Sequence, residues 1–557
     1  MHTLFAILAW AMLAAGEDEY LSPLPNEFAT APASWAAVFY TNPSVAVISG
    51  TFNRTISQAP WTGRTSNSAV QQANQVLNGT DFIAYDPKFF DLIGPNATIE
   101  RVQELPFQVH EASCFNPETR QLFFSEWGPP GGINGSHSWQ YLLDTDTNTL
   151  RNITTNPPTW NAHGCVFYKG AYHVVTDGGP NNTGLLTKID PGTLTSTPLL
   201  NNYYQQPFIG LNDIDIDEDG NYWITDDRYG WGFGVISHYP QTSPGAYFVD
   251  GKTMRPRAIT RTSGEANGIA VTAKQPDGSR TVYIADTGTS PPKLNAPFDN
   301  FNRRELSAYD ARGPFLTNPR LFNNPIYFSH DGVRVSRNGY VFSGIGQGVD
   351  VMDPVTGLTL GAIHVGGGQT TAVNLAFGEH ELWIVGGGGV WHVNGVKERL
   401  ARDWHQLLAG MSKLSGLDSP QYSANQIMPT SVYEAPEVDR AMNAPEVYRV
   451  QHDDQAPEVL HQVFGSANDQ TVVRSSTSGG SGDWHYRRFD TCWWLGRRTS
   501  RWSAVKEPQW RIFYCYYSKC FGDPFSKSNK HFGDLISEFS KHNKHNKHFV
   551  RVPEPDQ

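Results

Sequence analysis

The sequence predicts an all-β protein, a six-bladed β-propeller followed by a largely disordered C-terminal extension. Three observations carry that prediction. A short pattern recurs six times between Glu111 and Gly389: a polar side chain just ahead of a buried strand, a turn, then a second apolar strand ending in a polar residue or glycine. Its first positions recur roughly every 40–65 residues, close to the spacing of four-stranded blades. The composition, with 52 Gly, 37 Pro and only 17 % charged residues in 557, suits short strands and tight turns better than long helices.

Residues 1–16 read as a secretory signal. Leu4 to Leu13 is an apolar run of h-region length, and Ala14-Ala15-Gly16 supplies small residues before the acidic Glu17-Asp18-Glu19. An uncleaved membrane anchor is the alternative; no later run is long and apolar enough to span a bilayer. Six N-x-Ser/Thr sequons, at Asn53, Asn78, Asn96, Asn134, Asn152 and Asn181, fit export and predict a secreted glycoprotein. Five cysteines are too few for a disulfide scaffold. A net charge of −11 argues against nucleic-acid phosphates as partners and is compatible with a cation site.

Residues 17–96 read as a segment decorating the main domain, and 97–400 as the propeller. A strand near 97–107 is expected to pair into the last blade, which removes a free sheet edge. The six copies begin at Glu111, His163, Asn212, Asn267, Asp331 and Asn374. The third is the clearest: Leu211 to Ile216, the turn Asp217-Glu218-Asp219-Gly220, then Tyr222 to Asp226. A second hairpin follows several copies, as at Tyr141–Asp144, Leu186–Asp190, Leu306–Asp310 and Val349–Asp353.

The stretch 401–557 is different. Ala401 to Leu417 has the pattern of a short helix. Ala-Pro-Glu-Val then appears three times, and Pro blocks regular strand pairing. Residues from about 420 onward are expected to be mostly disordered. Cys492, Cys515 and Cys520 lack the C-x-x-C spacing of a zinc finger. The Lys/His run near the C-terminus reads as solvated tail.

In a propeller the innermost strand of each blade lines the central channel, so the six first positions face one another across one mouth. Two carboxylates and several carboxamides there suit a hard divalent cation, Ca²⁺ first, with Mg²⁺ or Mn²⁺ also accommodated; zinc would prefer more His or Cys. The plainer reading, that Asn and Asp at strand starts only cap turns, loses ground when six such positions fall in register.

Leu211 to Asp226, Ala266-Asn267-Gly268-Ile269-Ala270-Val271 with Tyr283-Ile284-Ala285-Asp286-Thr287, Asp331-Gly332-Val333-Arg334-Val335 and Asn374-Leu375-Ala376-Phe377-Gly378 together resemble the gluconolactonase/senescence-marker-protein (regucalcin-like) family. The likeness is strongest to its secreted fungal lactonohydrolases and more distant to paraoxonases. It implies a calcium-type propeller hydrolysing a small-molecule lactone, with metal ligands at Glu111, Asn212, Asn267 and Asp331. Asn374 matches a family position beside the ligands. Two departures bear on the pocket: His330 stands where the family often has Pro, and Ala112-Ser113 follow Glu111 where Gly-Pro is usual.

On this reading a metal-bound water attacks the lactone, with Asp331 or a nearby His taking its proton. His163 occupies a ring position and ranks first; His110 and His330 adjoin the ring in sequence and are candidates for substrate or supporting contacts. Asp177, Asp226 and Asp286 end second strands and read as turn-formers. Cys114 and Cys165 lie on neighbouring inner strands, so a disulfide and two buried thiols are both open. Two rival functions are a secreted binding module whose metal only stiffens the channel and another metal-assisted hydrolysis, because the fold alone fixes neither.

Overall fold

The computed structural model describes residues 19–106, 109–128, 138–293, 295–368 and 370–402, together with the backbone of four strands between 461 and 497. The chain divides into two units, Met1–Gln421 and Tyr422–Gln557.

The first unit holds the six blades, each built on a four-stranded antiparallel meander. Blade one is Val109–Asn116, Gln121–Trp127, Ser138–Asp144 and Thr149–Ile153, and blade two Ala162–Tyr168, Ala171–Thr176, Leu186–Ile189 and Ser196–Leu200. Blade three is Leu211–Ile216, Tyr222–Asp226, Gly245–Val249 and Pro256–Arg261; blade four is Ala266–Val271, Ser279–Asp286, Leu306–Arg312 and Phe315–Asn323. Blade five is Val333–Val335, Val341–Ile345, Gly348–Met352 and Thr359–His364. Blade six is Ala372–Phe377, Glu381–Gly386 and Gly389–Asn394, completed by Thr98–Glu104, which runs antiparallel to its third strand. The chain's early strand thus closes the ring. Each first strand packs against the next, and the sixth returns to the first.

Between each pair of blades lies an apolar layer. Phe123, Tyr172 and Val174 fill the first such gap, Tyr168, Ile214 and Tyr247 the second, and Trp223, Phe248 and Ile284 the third. Tyr283, Val333 and Met352 fill the fourth, Phe342, Leu375 and Trp391 the fifth, and Phe124, Phe115 and Trp383 the sixth. Each large side chain so buried contributes roughly 1.5–3 kcal/mol, which explains why a blade needs neighbours on both faces.

The turns follow from side-chain chemistry. Asp217 Oδ1 accepts from the backbone N–H of Asp219 and Asn221, and Gly220 takes the left-handed φ of 85°. The outer hairpins share a second device: Asp144, Asp190, Asp250 and Asp353 each accept from the N–H groups two and three residues on.

The 17–96 segment does more than decorate. Phe82–Ala84 pairs antiparallel with Thr359–His364, and Trp35–Ala37 pairs parallel with Phe82–Ala84, extending blade five to six strands. Trp35 stacks on Phe82 at 4.7 Å, with Phe28 and Phe90 against it. Asn53, Asn78, Asn96, Asn152 and Asn181 are all exposed, as glycan attachment requires, and Asn134 lies outside the described residues.

In the second unit, His461–Phe464, Val472–Ser475, Gly482–Phe489 and Cys492–Arg497 form a four-stranded antiparallel meander. The β-branched and aromatic residues there, among them Val472, Val473, Trp484, Tyr486 and Trp494, favour strands. The rest of the stretch expected to be mostly disordered, from about 420 onward, lies outside the described residues. The signal stretch 1–16, all but the first two residues of the 401–417 helix, the Ala-Pro-Glu-Val repeats and the Lys/His run lie outside the described residues. No helix among the described residues is long and apolar enough to cross a membrane.

Candidate active site

A local irregularity turns the first-position side chains to one mouth. The pairing of the first two strands slips at Glu111/Cys114, Ala162/Gly164, Leu211/Ile214, Ala266/Ile269 and Ala372/Asn374. Five of the six ring positions sit at such a bulge, and Asp331 stands just ahead of its strand. An extra residue in one strand re-aims a side chain that simple alternation would send elsewhere. In blade one, Ala112 takes a φ of 59° at this point. Inner strands also approach closely: a Cβ on Gly268 would sit 2.1 Å from the Asp331 carbonyl oxygen.

His163 is the hub. Its Nδ1 lies 3.2 Å from Asp177 Oδ2, and its Nε2 lies 3.1 Å from Asn212 Nδ2 and 3.4 Å from Glu111 Oε1. Burial alone would lower its pKa, but the Asp177 and Glu111 carboxylates outweigh that and hold it well above the ordinary value. Burial pushes the Glu111 carboxyl up, with His163 opposing. Asp331 is driven well up by burial and then by the Glu111 charge; its Oδ1 is sealed from solvent with no hydrogen-bond partner.

The carboxamides divide by which atom is occupied. Asn212 Nδ2 donates to Asp227 Oδ2 at 2.6 Å, and Asn267 Nδ2 to Thr287 Oγ1 at 3.3 Å, so each retains its carbonyl oxygen for another partner. Asn374 is the reverse. Its Oδ1 already accepts from Leu375 N and Ser113 Oγ, leaving the amide to face Glu111. It therefore supports the ring rather than adding an oxygen to it.

Two carboxylates read from sequence as turn residues, or passed over, belong to the site. Asp177 is fully buried and orients His163, and Asp227 is fully buried and grips Asn212 while accepting from Tyr229 N at 2.9 Å. Burial pushes Asp227 well up. The signal was present: a second strand ending in Asp beside a ring His. Asp226 did prove a backbone-binding residue, with Oδ1 accepting from Ile209 and Gly210.

His330, expected beside the ring's chemistry, is bonded through Nε2 to Asn323 Oδ1 at 2.9 Å, at the end of blade four's outer strand. Burial and Arg304 depress it to about 3, so it stays neutral. The His110 side chain lies outside the described residues. Trp127 packs 5.0 Å from the His163 ring, and Phe233 joins Trp127 to Tyr229, giving the mouth an aromatic wall.

Two buried ion pairs reach the inner strand of blade three. Arg334 Nη1 meets Asp213 Oδ2 at 2.9 Å, and Arg402 Nη2 meets Asp215 Oδ1 at 2.6 Å. Cys114 and Cys165 are joined as a disulfide between blades one and two, with Cα atoms 5.5 Å apart.

The residues fit a divalent cation. Glu111, Asp331, Asn212 and Asn267 offer oxygens, buried carboxyls repel one another, and Asp331 Oδ1 has no partner. No cluster of three or more His, Cys, Asp and Glu suited to a metal occurs among the described residues, so a metal would depend on the carboxamides.

No protein-family model matches the chain. It is 31 % identical over 340 residues to the lactonohydrolase oryL of Aspergillus oryzae, covering 56 % of this chain and 74 % of that protein. It is 26 % identical over 391 residues to the lactonohydrolase oryH of the same organism, covering 57 % and 81 %. Solved structures similar to it include a gluconolactonase of Xanthomonas campestris (TM-score 0.45, 20 % identity, 56 % of this chain and 93 % of that one). Another is the calcium-binding protein regucalcin of Agrobacterium tumefaciens (TM-score 0.40, 16 % identity, 55 % and 96 %). With nearly a third of residues shared across three quarters of oryL, the chain belongs to the lactonohydrolase family.

Proposed function

We propose that this chain is a secreted lactone hydrolase acting on a sugar-type or related lactone, with the ring of Glu111, His163, Asn212, Asn267 and Asp331 as its active site. The carrying observation is the convergence on one mouth of a buried His–Asp pair and an oxygen-donor set that includes an unpartnered carboxylate oxygen. Glu111, Asn212, Asn267 and Asp331 would hold a divalent cation, Ca²⁺ ahead of Mg²⁺, Mn²⁺ or Zn²⁺, because every donor is an oxygen. Such an ion, when bound, polarises the lactone carbonyl and acidifies a water.

The chain's own residues then handle the proton. Asp177 accepts from His163 Nδ1–H, which leaves Nε2 as the basic nitrogen facing the ring. Were Glu111 committed to a cation, Asp177 would be the one carboxylate left acting on His163, and the imidazole would be freer to act as base. Nε2 takes a proton from water as its oxygen bonds to the lactone carbonyl carbon. The ring C–O bond then breaks, and the same nitrogen returns the proton to the departing alkoxide. Trp127 and Phe233 shield that exchange from bulk water.

The test is hydrolysis of a lactone panel by the purified protein beside His163→Gln and Asp331→Ala. Activity in the wild type that falls sharply in both variants supports the reading; undiminished activity in both places the chemistry elsewhere.

A further inference from the structure

A second group of buried polar side chains lies away from the ring, on the face of blade five that the N-terminal segment covers. Asp350 and Gln347 are fully buried, and His364 is 1 % exposed. Neither carboxylate oxygen of Asp350, neither amide atom of Gln347 and neither ring nitrogen of His364 has a hydrogen bond of good geometry. The hydroxyl of Tyr85 is likewise sealed without one.

These groups share one space. Gly348 stands opposite His364 and Asp350 opposite Ala362, so Asp350 and His364 project from the same face of adjacent strands. Gln347 precedes Gly348, and its carbonyl accepts from Val365 N, the residue after His364. Ala362 faces Ile83, which puts Ile83 and Tyr85 on that face too. Tyr85 feels the Asp350 charge and meets the Gln347 amide in a weak hydrogen bond. Asp350 and His364 each find only a weak backbone partner, at Ile326 and Thr80 respectively. The Arg54 guanidinium, whose charge reaches Tyr85, is committed to the carbonyls of Gln58 and Ile326 at 2.9 and 2.7 Å.

A buried carboxylate costs several kcal/mol unless a counter-charge or a proton accompanies it, and each unmet polar neighbour adds to that cost. Polar atoms from four residues converging on one small space, with no hydrogen bond of good geometry among them, are not what a closed interface leaves behind. We propose that Asp350, Gln347, His364 and Tyr85 form a second, non-catalytic cation site that pins the N-terminal segment to blade five. An imidazole nitrogen beside carboxylate, carboxamide and phenol oxygens suits a divalent ion of the first transition row, such as Zn²⁺ or Mn²⁺, better than Ca²⁺. Burial pushes Asp350 up to about 7 when the space holds no charge, so a bound ion would displace its proton.

The test compares bound metal per chain by elemental mass spectrometry. Wild type, Asp350→Asn and Asp331→Asn are each exposed to Zn²⁺ or Mn²⁺ and then desalted. The expected result is one equivalent fewer in Asp350→Asn than in wild type, while Asp331→Asn keeps that equivalent. The Tm of Asp350→Asn should also lose the rise that the metal gives wild type. Equal metal content in wild type and Asp350→Asn overturns the proposal, and a Tm at or above wild type would then identify a protonated carboxyl solvated by buried water. Should Asp350→Asn fail to fold, Gln347→Ala is read the same way. Neither variant touches the ring, so lactone hydrolysis at saturating Ca²⁺ is unchanged in the folded variants and the two sites are told apart.

Discussion

In the proposed mechanism His163 depends on what holds it. Asp177 fixes one nitrogen and sets the tautomer, so its loss should cost rate without removing the imidazole. Asp177→Asn is expected to lower kcat by about 10²-fold or more and His163→Gln by roughly 10²–10⁴-fold, the range of general-base contributions. Both should leave the far-ultraviolet spectrum unchanged. Asp226 makes a different prediction. Burial raises its carboxyl to about 7 while two backbone N–H groups bind it. A carboxyl raised on folding adds stability that is complete below the unfolded value, near 4, and is lost as pH rises through 7. Urea unfolding of wild type and Asp226→Asn across pH 4–8 should therefore show a steeper decline in wild type than in the variant, which keeps the other raised carboxyls.

The same residues show where the sequence was legible. Glu111, His163, Asn212, Asn267 and Asp331 stood out because one pattern repeated, and the structure brings them to one mouth. Asp177 and Asp227 escaped because an Asp after a strand looks identical whether it bonds a turn or a buried side chain of the ring. His330, a candidate because it adjoins Asp331 in sequence, bonds Asn323 of blade four instead, a partner that sequence adjacency does not reveal.

At the scale of elements, the blades hold to one another by apolar layers and a few buried charges. Glu381 of blade six receives Arg120 of blade one at 2.7 Å and His392 at 2.9 Å. Burial alone would raise its carboxyl, but the bonds to His392 and Arg120 outweigh that and hold it at about 2. A depressed carboxylate contributes stability present above its unfolded pKa and lost as pH falls toward the folded one. Glu381→Gln should thus destabilise by on the order of 2 kcal/mol at pH 7. The gap between variant and wild type should narrow between pH 4.5 and 2, which denaturant titration at several pH values would measure. Strand pairs and turns of this kind were readable from alternation and Asp-Gly signals. The addition of Trp35–Ala37 and Phe82–Ala84 to blade five was not, since pairing across almost 300 residues leaves no local trace.

For the whole molecule, the ring is closed by Thr98–Glu104 against Gly389–Asn394. A ring that lacks this strand exposes the outer edge of blade six and leaves the sixth layer, with Trp383 and Phe124, weakly clamped. Ile99→Pro removes a donor and breaks the pairing of Ile99 with Val393, so Tm should drop by several degrees and unfolding should lose cooperativity. Closure by an early strand was legible because a free sheet edge has to be removed.

The most direct test of the central claim is the rate of lactone hydrolysis by the full chain before chelation, after EDTA and after Ca²⁺ is restored, with Asp331→Ala in parallel. The account expects activity that chelation abolishes and Ca²⁺ restores in wild type, and none under any condition in Asp331→Ala. Full activity after chelation, or in Asp331→Ala, would contradict it.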